Sequence, residues 1–174
     1  DPIDGTRDFM RQRPGWCVSV ALVEDRVPVL GVLAAPERGE LWVAESGKGA
    51  TRNDLPIRVS RRTQLVGARV PTDSLPAVDS DLVMVPKPNS IALRIGLVAA
   101  GEADLLATLR WGFEWDIAAA ALIAEEAGAA VSGALGQPLA FNTASGEAFG
   151  VLVATPGIHA AAVDRLRERA MAIV

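Results

Sequence analysis

Three apolar, β-rich runs follow one another so closely that they have few ways to fold. Trp16–Val23 (WCVSVALV), Val27–Ala35 (VPVLGVLAA) and Leu41–Glu45 are separated only by Glu24-Asp25-Arg26 and by a polar turn at Pro36–Glu40. Turns this short join antiparallel neighbours, because a parallel pair needs a crossover of roughly a dozen residues or more. The spacing therefore predicts a meander. A turn at Ser46-Gly47-Lys48-Gly49 extends it into a hairpin end over Thr51-Arg52, Asn53-Asp54 and Ile57-Arg58-Val59. Pro28 has no N–H and must sit where the ladder needs none.

The rest of the chain mixes helices with strands. Leu82–Val85 is a short strand before Pro86-Lys87-Pro88. Asn89 or Ser90 is placed to cap a helix, Ile91, Ile95, Val98 and Ala99 keep helical spacing, and Gly101 ends it. Ala103–Leu109 is predicted as a strand, Trp111–Trp115 as a loop, and Asp116–Ala127 as a helix stopped by Gly128. Further strands are expected at Val131 and Phe149–Ala154. A last amphipathic helix runs to about Ala172, with Thr155 as cap and Pro156 in first position. The expectation is an α/β (α+β layered) fold in one domain over residues 1–174, with the meander in about 1–60 and an α/β portion in about 80–174.

Charge and cysteine narrow the function classes. The net charge is −4 and the longest basic run is Arg61-Arg62, which argues against a nucleic-acid polymer as partner. Apolar runs stop well short of the ~18 residues that suggest a membrane span. No signal-peptide pattern is seen. The lone Cys17 cannot form an internal disulfide and lies in an apolar run, so it reads as core, and a cytoplasmic location is expected.

The most chemical stretch is Asp1-Pro2-Ile3-Asp4-Gly5-Thr6. Its two carboxylates are hard oxygen ligands of the kind Mg²⁺ takes while also holding a phosphate. Pro2 stiffens the turn, and Gly5 lets backbone approach a ligand. A helix starting near Thr6 would aim free N–H groups at the same spot and favour an anion. Asp-Pro and Asp-Gly are also ordinary turn dipeptides, so these six residues alone leave both readings open. A metal site at a bare N-terminus would fray, so a preceding segment is expected. The second signal is Trp115-Asp116-Ile117-Ala118-Ala119-Ala120, where Asp116 stands at a helix start as cap, as third metal carboxylate, or as both. The small alanines let that helix pack close to a sheet and hold Asp116 rigidly.

DPIDGT, WDIAAA about 110 residues later and the meander between them resemble the inositol monophosphatase superfamily, whose members are Mg²⁺-dependent phosphomonoesterases. The resemblance covers the chain but only the later part of such an enzyme. It implies two or three Mg²⁺ ions, with Asp1 bridging two of them, the Ile3 carbonyl on the first, Asp4 on the second, and Asp116 as a further ligand. It implies that Gly5 and Thr6 hold the substrate phosphate through their backbone N–H groups, while an activated water attacks phosphorus in line. Asp1, Asp4, Thr6 and Asp116 are thus the expected catalytic set. No histidine is required, and His159 is expected at the surface. The family also draws a glutamate from a segment preceding DPIDGT, so a 174-residue chain is expected to have an incomplete first metal site and to lack full activity by itself.

The substrate clues are finer. Arg7-Asp8-Phe9 is more similar to the bisphosphate nucleotidases than to the inositol phosphatases. Arg94, one turn beyond Ser90, suits a second phosphate or is a solvated helix residue. Glu114 is placed to accept from a sugar hydroxyl, and Ser90 to touch substrate. The expectation is a 3′(2′),5′-bisphosphate nucleotidase acting on adenosine 3′,5′-bisphosphate in sulfur assimilation. Inositol-1-monophosphatase and histidinol-phosphate phosphatase are the alternatives, and an inactive fragment or sugar-phosphate binding module is the non-enzyme one. A homodimer is expected from the resemblance.

Overall fold

The meander forms as its turns dictate. In a computed structural model that describes all of residues 1–174, β1 (Val18–Glu24), β2 (Val27–Ala35), β3 (Glu40–Glu45), β4 (Ala50–Arg52) and β5 (Leu55–Pro56) make one antiparallel sheet in chain order. Asn53 and Asp54 link β4 to β5 with φ of 50° and 64°, the left-handed pair that a two-residue hairpin turn demands. The register slips between Leu22 and Val23, where Val23 faces Pro28, so the proline sits where the ladder is already irregular.

One face of this sheet is the core. Leu33, Ala35, Trp42 and Ala44 are buried, and they join helices α2 (Ile91–Ala99) and α3 (Glu114–Glu126) in one apolar cluster. The α3–sheet approach is close because both sides are small: a Cβ on Gly31 would lie 2.6 Å from the Ala119 carbonyl oxygen. The outer face carries Val20, Leu22, Leu30 and Leu41, all exposed.

A second antiparallel sheet lies under the two helices in the order β8 (Leu105–Phe113), β10 (Glu147–Ala154), β9 (Ala130–Ser132). Its strands alternate. Leu106, Val151 and Val153 join the α2/α3 cluster, while Leu105, Leu152 and Ala154 pack with Ile158, Ala162 and Val163 of α4 (Pro156–Met171). The layers are therefore sheet, helices, sheet, helix. Between the sheets in sequence, β6 (Arg69–Pro71) and β7 (Val83–Val85) pair in parallel, a pairing the sequence did not suggest.

Asp104 ties the loops around β6 to the turn after α2. Its carboxylate accepts from Ser60 Oγ (2.6 Å), Arg62 Nε (3.1 Å), and Arg69 N and Nε (2.9 Å each). These donors hold it well below the usual carboxylate range even though burial opposes its charge.

Three local expectations need correcting. Residues 111–115 are not a loop: β8 continues to Phe113, paired with Glu147, and α3 starts at Glu114. Aromatic side chains favour a pleated, paired backbone, and three of these five residues are aromatic. Thr155 holds the cap position of α4, but its hydroxyl donates to the Arg62 carbonyl instead of capping. His159 is half-buried and bonded to Ser132 Oγ at 3.0 Å, not free at the surface, and burial lowers its pKa.

Candidate functional site

The site begins with a strand that carries one residue too many. The backbone N–H and carbonyl of Asp1 exchange hydrogen bonds with Ser19, and those of Asp4 with Cys17. Three steps along residues 1–4 thus oppose two along 17–19, as in a bulge. Strict alternation would put Asp1 and Asp4 on opposite faces; the extra residue brings both to one side. Pro2 needs no N–H partner there.

Asp4 is fixed most firmly. It is buried, and its Oδ2 accepts from Ser90 Oγ (2.5 Å) and from Ala92 N (2.8 Å), while Ser90 Oγ also accepts from Leu93 N (2.9 Å). One hydroxyl therefore caps α2 and anchors Asp4. Cys17 Sγ lies 3.4 Å from the same hydroxyl, and burial pushes its thiol up to about 12, so it stays a neutral packing group. Asp1 Oδ1 accepts from Ile3 N (2.8 Å), and nothing in the chain donates to the Ile3 carbonyl.

Gly5 then turns the chain into α1 (Thr6–Met10) with φ of 91°. A Cβ there would lie 2.7 Å from Gly15 O and 2.8 Å from Ser90 N, so only glycine fits. The N–H groups of Gly5, Thr6 and Arg7 have no partner in the chain, and Thr6 is exposed.

Asp116 arrives from the other half of the fold. It is the third residue of α3, not its cap; Phe113 holds the cap position and offers no side-chain bond. Its carboxylate is free of hydrogen bonds, and burial, then the charge of Asp4, push its pKa up. One carboxylate oxygen from each of Asp1, Asp4 and Asp116 falls within 4.8 Å of the others. Three like charges so close repel one another unless a cation lies between them. Each residue keeps an oxygen uncommitted, which is the donor set of a hard divalent ion such as Mg²⁺. The residues fit the metal that the resemblance implies.

Other expected residues lie nearby with polar atoms bonded within the chain. Ser90 is fully buried on Asp4. Glu114 is buried, with its carboxylate bonded to the Thr143 hydroxyl and N–H, so it pins the 143–146 turn. Arg94 folds back onto its own helix start, with Nε on Ser90 O (3.2 Å) and Nη2 on Asn89 O (2.9 Å). The residue that sequence reasoning missed is Arg110. It shares a recess with Asp116, Ile91 and Phe113, and its charge is felt at both Asp116 and Arg94. Its signal was a lone cation on the strand leading to Asp116.

The profile of the inositol monophosphatase family matches residues 1–173. Inositol monophosphatase 2 of Solanum lycopersicum is 38% identical over 146 residues, 75% of this chain and 55% of that protein. The chain spans about half the length of the curated relatives it matches. Among solved structures, an IMPase of Thermotoga maritima is 31% identical with a TM-score of 0.85, covering 100% of this chain and 69% of that one. SaIMPase-II with bound 2′AMP is 26% identical with a TM-score of 0.85, covering 99% and 70%. The chain belongs to the inositol monophosphatase family.

Proposed function

We propose that the protein is a Mg²⁺-dependent phosphomonoesterase whose preferred substrate is a 3′(2′),5′-bisphosphate nucleotide such as adenosine 3′,5′-bisphosphate. The convergence of Asp1, Asp4 and Asp116 beside the unpaired N–H groups at the head of α1 carries this reading. Asp1, Asp4, Asp116 and the Ile3 carbonyl would hold the ions, which lower the pKa of water and neutralise charge on the transferring phosphoryl group. The chain does the rest. Gly5 and Thr6 N–H groups orient the phosphate oxygens, and their fixed dipoles favour the added negative charge of the transition state. The exposed Thr6 hydroxyl, at the head of the same helix, is assigned to orienting the attacking water. Asp4, locked by Ser90 and Ala92, needs no reorganisation.

Two observations support a nucleotide. Arg110 gives the site a cation, and SaIMPase-II takes 2′AMP. A second reading, inositol 1-phosphate, is favoured by the names of several curated relatives. The test is phosphate release with Mg²⁺ from adenosine 3′,5′-bisphosphate beside inositol 1-phosphate. Faster release from the bisphosphate is expected; preference for the inositol ester would select the second reading, and the absence of both release and calorimetric binding of either ester with Mg²⁺ would refute both.

A further inference from the structure

The geometry points to Arg110 as the side chain that reads a second anionic group on the substrate, and so as the residue that separates bisphosphates from monophosphates. This rests on the phosphatase reading above.

The first observation is where the backbone puts it. Along the β8–β10 ladder Phe149 faces Trp111 and Val151 faces Thr108. Two steps on β10 oppose three on β8, so β8 carries an extra residue in the stretch Leu109–Arg110. Gly150, opposite, has φ of 64°, and a Cβ on it would lie 2.4 Å from the Thr108 carbonyl oxygen. The bulge is therefore built into both strands. Bulges of this kind re-aim side chains, commonly beside active sites.

The second observation is what the side chain faces. Arg110 lines a recess with Thr108, Phe113 and Asp116, across which Ile91 opens α2. The recess holds only about 30 Å³, room for one water-sized group, so a substrate would lie across its mouth. Arg110 is exposed and makes no ion pair or hydrogen bond within the chain, although Asp116 is close enough to feel its charge.

The third observation removes the competitor. Arg94 has donors committed to Asn89 and Ser90 and opens instead onto a separate cleft with Thr72, Asp79 and Arg165. Its charge lies near enough to Arg110 that the two repel. An exposed, unpaired guanidinium near another cation gains most from an anion placed over it, and its planar fork offers a phosphate paired donors.

The test compares adenosine 3′,5′-bisphosphate with adenosine 3′-monophosphate, which differ only by the second phosphate. Calorimetric binding and phosphate release with Mg²⁺ are measured on the wild type, Arg110→Ala and Arg110→Lys. The wild type should bind the bisphosphate more tightly. Arg110→Ala should weaken binding and raise KM for the bisphosphate at least tenfold, leave kcat within about threefold, and leave the monophosphate within about twofold; Arg110→Lys should recover part of the loss. An equal loss on both ligands, no loss, or no preference in the wild type would overturn the assignment. Selective loss of bisphosphate binding in a protein that releases no phosphate would uphold Arg110 and overturn turnover by these 174 residues alone.

Discussion

Replacing Ser90 with alanine removes one oxygen from two jobs. The hydroxyl accepts from Leu93 N as the cap of α2 and donates to Asp4 Oδ2, and it is fully buried. Loss of a serine cap costs about 1 kcal/mol. Loss of a hydrogen bond to a charged group costs about 2 kcal/mol. The two sum to about 3 kcal/mol, and in a domain of this size each kcal/mol moves the melting temperature by about 2–4 °C. Ser90→Ala should therefore melt about 6–12 °C below the wild type in chelator. Asp4 would keep only the Ala92 N–H as anchor on that oxygen. Loosening a group that orients a metal ligand typically costs about 10-fold or more in metal affinity, so Mg²⁺ binding should weaken by that order. Thermal unfolding followed by circular dichroism and a Mg²⁺ titration by calorimetry read both effects. A melting temperature within about 2 °C of wild type together with unchanged Mg²⁺ affinity would refute the reasoning; a raised KM alone would return Ser90 to the substrate.

Other consequences follow from single contacts. Gly5→Ala should lose both stability and Mg²⁺ affinity, because its Cβ would meet Gly15 O at 2.7 Å and its φ is left-handed; a variant that unfolds and binds Mg²⁺ like the wild type would contradict this. Asp104→Asn should cost about 2–3 kcal/mol in urea unfolding at pH 7, below the roughly 3–5 kcal/mol of a fully buried pair, since Arg62 and Arg69 are 31% and 35% exposed. Because the folded-state pKa of Asp104 is depressed, its contribution is present above the ordinary aspartate value of about 3.9 and lost as pH falls below it. The wild-type advantage over Asp104→Asn should accordingly shrink as pH is lowered beneath 4, and an advantage that persists unchanged to pH 2 would count against it.

Much of this fold is legible because local rules and tertiary structure agree. Short turns force the β1–β3 meander, Ser90 and Gly101 bracket α2, and Pro156 opens α4. What stays hidden depends on partners distant in sequence. The aromatic residues of Trp111–Phe113 suit a strand, but Gly112 interrupts them and the pairing residues lie far off, near Glu147. The parallel β6–β7 pair has too few residues to show a pattern. The site divides in the same way. Asp1 and Asp4 are suggestive by spacing, but their meeting with Asp116 across more than 100 residues is visible only through family resemblance. The alternative partners of Ser90, Glu114 and Arg94 lie in other elements or in backbone carbonyls, so residue type alone suggested a ligand where the structure has internal bonds. Arg110 was hidden because a bulge, not a motif, aims it.

The most direct test of the account is calorimetric titration of Mg²⁺ into the wild type and into Asp116→Asn, which keeps the shape of the side chain and removes its charge. Saturable binding in the wild type that weakens at least tenfold in Asp116→Asn, with the melting temperature in chelator unchanged or slightly raised by relief of repulsion from Asp4, is the predicted result. Equal binding in both proteins, or none in the wild type, would contradict the claim that Asp1, Asp4 and Asp116 form a divalent-metal centre.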